Sequence, residues 1–234
     1  MTATAYVFDP AEQASLAVKG ADARFPIRRI FCVGRNYEAH AREMGKDPDR
    51  EAPFFFTKPA DAALDTPCSI AYPPLTENLH YEIELVIAIG KGGADIDEAD
   101  VMKHVWGASV GIDLTRRDLQ TEAKNMGRPW DWGKAFDNSA PIAPIVPIDD
   151  VASIESARIW LAVNGDVKQD ADLADLIWSV REHVSILSRS VTLAPGDIIM
   201  TGTPAGVGAV VPGDVVTGGV HGIGTLEVTI SDRA

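Results

Sequence analysis

Apolar and polar residues alternate most clearly in two stretches. In Thr225-Leu226-Glu227-Val228-Thr229-Ile230 the alternation is that of a half-buried strand. In His80-Tyr81-Glu82-Ile83-Glu84-Leu85-Val86-Ile87-Ala88-Ile89 it begins strictly and then turns apolar on both faces. Successive strand side chains point to opposite faces, so Glu82 and Glu84 share a face with Val86 and Ala88. The glutamates therefore stand where the strand enters a core. Continuous apolar runs at Ile30-Phe31-Cys32-Val33 and Pro53-Phe54-Phe55-Phe56-Thr57-Lys58 predict strands covered on both faces, and Gly107 to Ile112 predicts a small-residue strand that delivers Asp113 at its end.

Arg158 to Val163, the pair Asn164-Gly165 and Asp166 to Gln169 predict a hairpin. Helical patterns are fewer. One spans Arg35 to Met44 and stops at Gly45, a second runs from an Asp97 cap to Val105, and a third runs from Thr115 to Met126 before Gly127. In a fourth, Ser179 to Val191, the residues Val180, Val184, Leu187 and Val191 form one stripe. Residues 129–134 read as a structured loop, and Pro141, Pro144 and Pro147 restrict their segment to an edge or an extended connection. Many short strands with a few inserted helices predict a β-rich α+β domain. Residues 1–25 read as a short N-terminal appendage, with the main domain at 26–234.

Composition narrows the partners. A net charge of −13 argues against nucleic acid, whose phosphates are met by clustered Lys and Arg. Two cysteines without CxxC spacing, no leader pattern at the N-terminus and no apolar run of membrane-spanning length point to a soluble, cytoplasmic protein.

Two like charges at a desolvated strand end repel, and a hard divalent cation between them relieves this. Glu82, Glu84 and Asp113 offer oxygen donors only, which favours Mg2+ or Mn2+, with Ca2+ behind them. His40 and Glu43, three apart on a helix, are either a base with its orienting carboxylate or a solvated pair, and spacing alone favours the solvated pair. Lys134, in a loop rich in Trp and Gly, is either an oxyanion stabiliser or a solvated lysine. Lys58, Arg116, Arg117 and Gln120 carry the same ambiguity.

Several motifs nevertheless occur together and in order. They are Val33-Gly34-Arg35-Asn36-Tyr37 with His40 and Glu43, Lys58-Pro59, Asn78 to Glu84, Gly111 to Gln120, Lys134, and Gly196-Asp197 leading to Thr201-Gly202-Thr203-Pro204. From about residue 26 to 230 the chain resembles the fumarylacetoacetate hydrolase family, in particular its small bacterial acylpyruvate and fumarylpyruvate hydrolases. The resemblance implies a mixed β-roll that dimerises and a metal held by Glu82, Glu84 and Asp113. It also implies a His40–Glu43 dyad that activates water, a catalytic Lys134, and substrate contacts from Tyr37, Arg117, Gln120 and Thr203. The implied reaction is metal-dependent cleavage of a carbon–carbon bond in a 2-oxo acid of the acylpyruvate type, such as fumarylpyruvate, in aromatic (gentisate) catabolism. Alternatives are oxaloacetate decarboxylation or diacid isomerisation or hydration on the same scaffold, and a metal-binding protein without catalysis. The helix bearing the dyad and the charged 46–51 segment form an expected lid. Ser179 to His183 departs from the family's apolar or Pro-containing pattern.

Overall fold

The computed structural model describes residues 5–43 and 51–233, the side chains of 41–43 excepted. The chain opens with a hairpin, β1 (Ser15–Val18) and β2 (Ala21–Pro26), followed by β3 (Arg29–Gly34), the short helix α1 (Glu38–Glu43) and β4 (Phe54–Lys58). Next come β5 (Ala63–Asp65), β6 (Cys68–Ala71), β7 (Leu79–Tyr81), β8 (Ile83–Ile89), β9 (Val105–Ile112) and β10 (Thr115–Arg116). Helices α2 (Arg117–Asn125) and α3 (Asp131–Lys134) precede β11 (Ala140–Ile142), β12 (Val146–Pro147) and the hairpin β13 (Arg158–Val163) and β14 (Asp166–Asp172). Helix α4 (Val180–Ser190) leads to β15 (Asp197–Met200), β16 (Gly208–Val210), β17 (Val215–Val220) and β18 (Gly224–Ser231).

The large sheet runs β4-β3-β15-β8-β9-β11-β5, with β12 beside β9, and mixes antiparallel pairs with the parallel pairs β3/β15 and β5/β11. A second sheet, β14-β13-β17-β18-β6, packs on one of its faces. Strand alternation divides β8 between two cores. Ile83, Leu85, Ile87 and Ile89 meet Ile159, Leu161, Val216 and Val228 of the second sheet. Val86 and Ala88 face the other way, against Ile30, Ile198 and Met200, and this core is covered by Leu16 and Phe25 of the first hairpin. The architecture is the β-rich α+β arrangement expected. No helix among the described residues is long and apolar enough to cross a membrane.

The structure departs from the predicted elements in five places. The Glu82/Glu84 strand is not continuous: β7 pairs with β10 and β16, β8 pairs with β9 and β15, and Glu82 occupies the step between the two sheets. Residues 131–134 are a helical turn rather than a loop, with the Gly133 and Lys134 amides both donating to the Trp130 carbonyl. The proline-rich β11 lies between β9 and β5 rather than at an edge. It can because Pro141, which has no amide hydrogen to donate, is one residue in a strand of only three. Strand β4 is half-buried, since Phe54 to Phe56 line an open groove instead of a second layer. The segment from Glu98 to Lys103 is 3-10 rather than α-helical, and Asp97 precedes it without capping it.

The Asn164-Gly165 turn is as expected, with both residues at positive φ (52° and 85°), which matches the twist of β13 and β14. Helix α4 begins at a capping box in which Ser179 and Glu182 satisfy each other's backbone amides, and its stripe of Val180, Val184 and Leu187 is buried.

Candidate active site

Register brings the three carboxylates together. Ile83 pairs with Ile112 and Glu84 with Gly111, while the Asp113 amide donates to the Glu82 carbonyl at 2.8 Å. Directly opposed residues of an antiparallel pair share a face, so Glu82, Glu84 and Asp113 point to one side, and Gly111 lets Val86 and Ile142 close over the strand beside them. All three are buried, and one oxygen from each lies within 4.8 Å of the others.

Cations surround two of the three. Lys134 Nζ donates to Glu82 Oε2 at 2.8 Å, to Asp113 Oδ2 at 2.5 Å and to Thr115 Oγ1 at 2.7 Å. Arg117 donates to Glu82 Oε1 and, at 2.5 Å, to Gln120 Oε1. Lys58, also buried, pairs with Asp113 Oδ1 at 2.9 Å and donates to the carbonyls of Leu114 and Lys134. Glu84 has no ion pair among the described residues and accepts only the Gly202 amide, at 2.7 Å.

These surroundings drive the carboxylates apart. Burial works to raise the pKa of Glu82, but Lys134 and Arg117 outweigh it and hold that carboxyl below its usual range. Burial, Asp113 and Glu82 push Glu84 well above it. Burial also acts to deprotonate Lys134, yet Asp113 and Glu82 prevail and its pKa is raised. Three cations thus face three carboxylates, but none of them pairs with Glu84, and a divalent cation held by the three oxygen donors would favour its ionised form.

The cluster forms the floor of a small cavity of about 90 Å³. Helix α2 builds one wall with the stripe Arg117, Gln120, Thr121 and Lys124, the i, i+3, i+4 and i+7 positions of one face. Asp118 secures its first turn by accepting from Thr76 Oγ1 at 2.6 Å and from the Glu77 amide at 3.0 Å. Val33, Phe56 and Trp130 form the opposite wall, and Lys134 Nζ lies 5.1 Å from the centroid of the Phe56 ring.

Of the predicted residues, Glu82, Glu84, Asp113, His40, Lys134, Arg117, Gln120 and Thr203 all line this cavity. His40 is buried on α1, immediately after the turn that ends β3. The side chain of Glu43, and residues 46–50 of the expected lid, lie outside the described residues. Tyr37 is buried away from the cavity lining, its hydroxyl without a hydrogen-bond partner among the described residues, and its backbone bridges to Leu176.

Two supporting residues escaped the sequence pattern. Lys58 belonged to an ambiguous group; its position at a strand end immediately before Pro59 was the available signal. Gln169 gave none, since it sits in a polar hairpin strand. It is fully buried, accepting from the Ile83 amide at 3.1 Å and donating to Thr203 Oγ1 and to the Pro204 carbonyl, each at 2.8 Å.

The chain is similar to known proteins over most of its length. The family model described as fumarylacetoacetate (FAA) hydrolase, C-terminal, matches residues 29–231. A fumarylpyruvate hydrolase of Ralstonia is 45% identical over 189 residues, covering 80% of this chain and 98% of the relative. The human mitochondrial oxaloacetate tautomerase is 39% identical over 203 residues, covering 87% and 91%. The crystal structure of fumarylpyruvate hydrolase from Pseudomonas aeruginosa, in complex with Mn2+ and pyruvate, superposes with a TM-score of 0.95 at 52% identity, over 98% of this chain and all of that one. With a matching model over most of its length and relatives well above 30% identity, the chain belongs to the fumarylacetoacetate hydrolase family.

Proposed function

We propose that this enzyme, a hydrolase acting on carbon–carbon bonds, cleaves 2,4-diketo acids, and that fumarylpyruvate is its substrate, yielding fumarate and pyruvate. The observation that carries the reading is three buried carboxylates, of which Glu84 has no ion pair among the described residues, in the same cavity as His40, Lys134 and Arg117. The fumarylpyruvate hydrolases at 45% and 52% identity support the choice of acyl group.

Glu82, Glu84 and Asp113 would hold the metal. The oxygen-only donor set and the raised Glu84 suit Mg2+ first and Mn2+ next. Bound there, the ion would supply Lewis-acid charge to the carboxylate and 2-oxo oxygens of a diketo acid. Arg117 and Gln120 orient the same end of the substrate from α2, and the Thr203 hydroxyl, already accepting from Gln169, is left to donate a hydrogen bond into the cavity.

His40 takes a proton from water as the water oxygen attacks the distal carbonyl carbon. The positive charge of Lys134, whose ammonium is held by Glu82, Asp113 and Thr115, offsets the oxyanion that forms. The bond between that carbon and the pyruvate methylene then breaks, the electron pair passes to the pyruvate fragment as its enolate, and the proton returns to the methylene carbon. The acyl carbon leaves as a carboxylic acid, so one water is consumed.

The test is turnover of fumarylpyruvate, acetylpyruvate and oxaloacetate with Mg2+ or Mn2+ present, following loss of substrate absorbance and product identity. Fumarate and pyruvate in equal amounts are expected from the first, and His40→Ala should abolish their formation while the protein still binds Mn2+. Oxaloacetate conversion with fumarylpyruvate untouched would replace this reading with the oxaloacetate chemistry named for the human relative.

A further inference from the structure

We propose that Arg35 is the specificity-determining residue that reads the far carboxylate of the substrate's acyl group, and that the aromatic groove beside it selects a flat, unsaturated chain. The assignment rests on the diketo-acid reading above.

The cavity over the carboxylates, at about 90 Å³, is the smaller of two adjoining spaces. A groove of about 580 Å³ adjoins it, and the two share Arg35, Phe56, Trp130 and Lys134 in their linings. The shared residues mark the passage, so the acyl end of a substrate anchored on the carboxylates extends past Lys134 into the groove. Its walls are aromatic. Trp130 meets Phe54 edge-on at 5.3 Å and 87°, and lies 5.7 Å from Phe56 at 56°. Ring faces and edges of this kind pack well on a planar conjugated chain.

The charge needed at the far end is present. Arg117 and Lys134 are bound to Glu82, and Lys58 to Asp113. Among the described residues the Arg35 side chain makes no ion pair or hydrogen bond; its guanidinium rests 5.3 Å from the centroid of Phe54. A guanidinium lying on a ring keeps its edge donors for a bidentate carboxylate. Arg35 also has φ of 56°, a left-handed backbone that is costly for a residue with a Cβ. The next residue is held firmly: the Asn36 side chain donates to the carbonyls of Trp178 and Thr201 and accepts from the Trp178 amide. The turn is therefore fixed, and the strain is spent on aiming Arg35 at the groove.

Among the described residues the Lys124 side chain also makes no ion pair or hydrogen bond, but it lines only the inner cavity, whereas Arg35 lines both. The groove also contains Asp131, which disfavours an anion nearer α3 and leaves the Arg35 end as its place.

The experiment compares kcat/KM for fumarylpyruvate and acetylpyruvate, which lacks the far carboxylate, using the full-length protein with Mn2+. The fumarylpyruvate-to-acetylpyruvate ratio should fall about 10- to 100-fold in Arg35→Gln, the effect of one charge-assisted contact, and chiefly through KM. Arg35→Lys, which keeps the charge without the fork, should show a smaller fall and serves if the Gln variant does not fold. An unchanged ratio in both variants, or a fall produced by Lys124→Gln instead, overturns the assignment while leaving the hydrolase reading intact. A wild-type protein that cleaves neither diketo acid removes the parent reading and this assignment with it.

Discussion

Gln169 donates from Nε2 to Thr203 Oγ1 at 2.8 Å, across the boundary between the second sheet and the active-site loop. The orientation of its amide is not arbitrary. The Ile83 N–H can only donate, so Oε1 must face it and Nε2 must face Thr203 and the Pro204 carbonyl. One side chain thereby holds both the strand between Glu82 and Glu84 and the hydroxyl that borders the cavity.

Gln169→Leu should destabilise the protein by about 2 kcal/mol, because it leaves the Ile83 amide and the Pro204 carbonyl buried without partners. Gln169→Glu keeps the acceptor for Ile83 and loses both donors. A rise in KM of about tenfold is expected in both variants. Denaturant midpoints and steady-state kinetics check this; a stability loss with unchanged KM would confine Gln169 to a structural role.

Lys58→Met should cost about 3 kcal/mol or more, since it strands the fully buried Asp113 beside one cation fewer. Mn2+ should bind more weakly as well, because Lys58 fixes the orientation of Asp113. Urea unfolding with and without Mn2+, together with titration calorimetry, measures both effects.

Metal should stabilise the fold. At one hundred times its dissociation constant a cation adds about 2.7 kcal/mol, visible as a rise in Tm that a chelator reverses. Glu84→Gln separates repulsion from ligation: the metal-free variant should melt higher than the metal-free wild type, and its rise on adding Mn2+ should largely vanish.

His183 provides a pH dependence away from the metal site. It is fully buried in α4, its Nε2 has no hydrogen-bond partner among the described residues, and burial lowers its pKa to about 4. The folded value is depressed below the ordinary 6.5, so the stability tied to neutral His183 is present above that pH and is lost as pH falls from 6.5 towards 4. The loss reaches about 3 kcal/mol. His183→Leu should unfold with a flatter profile across this window, read as the difference in denaturant midpoint from the wild type.

Much of this was legible in the sequence because period-2 alternation records burial directly. The apolar continuation through Val86 and Ala88 identified the face on which Glu82 and Glu84 lie, and Asn164-Gly165 located the hairpin turn. The meeting of Asp113 with the glutamates was not legible from either strand alone, since it depends on the pairing of Glu84 with Gly111. The break at Glu82 was hidden because neither half of the strand shows which sheet it joins. Gln169 was hidden for another reason. The pairing passes from Leu161 with Gln169 to Ala162 with Val167, so Lys168 is an extra residue, a β-bulge. Beyond it the alternation changes phase, leaving Val167 exposed and turning Gln169 inward.

That bulge also sets which changes of length the β13/β14 hairpin can absorb. Residues between the Asn164-Gly165 turn and Lys168 can be added or removed in matched pairs, one on each strand, without disturbing the orientation of Gln169. Deleting Lys168 alone would remove the bulge, leaving Gln169 opposite Leu161 in a regular ladder. It would also remove the carbonyl against which Gly206 is packed so closely that an added Cβ would sit 2.0 Å away. The hairpin tip is therefore open to variation, and the single residue at 168 sets the frame in which the active-site loop is read.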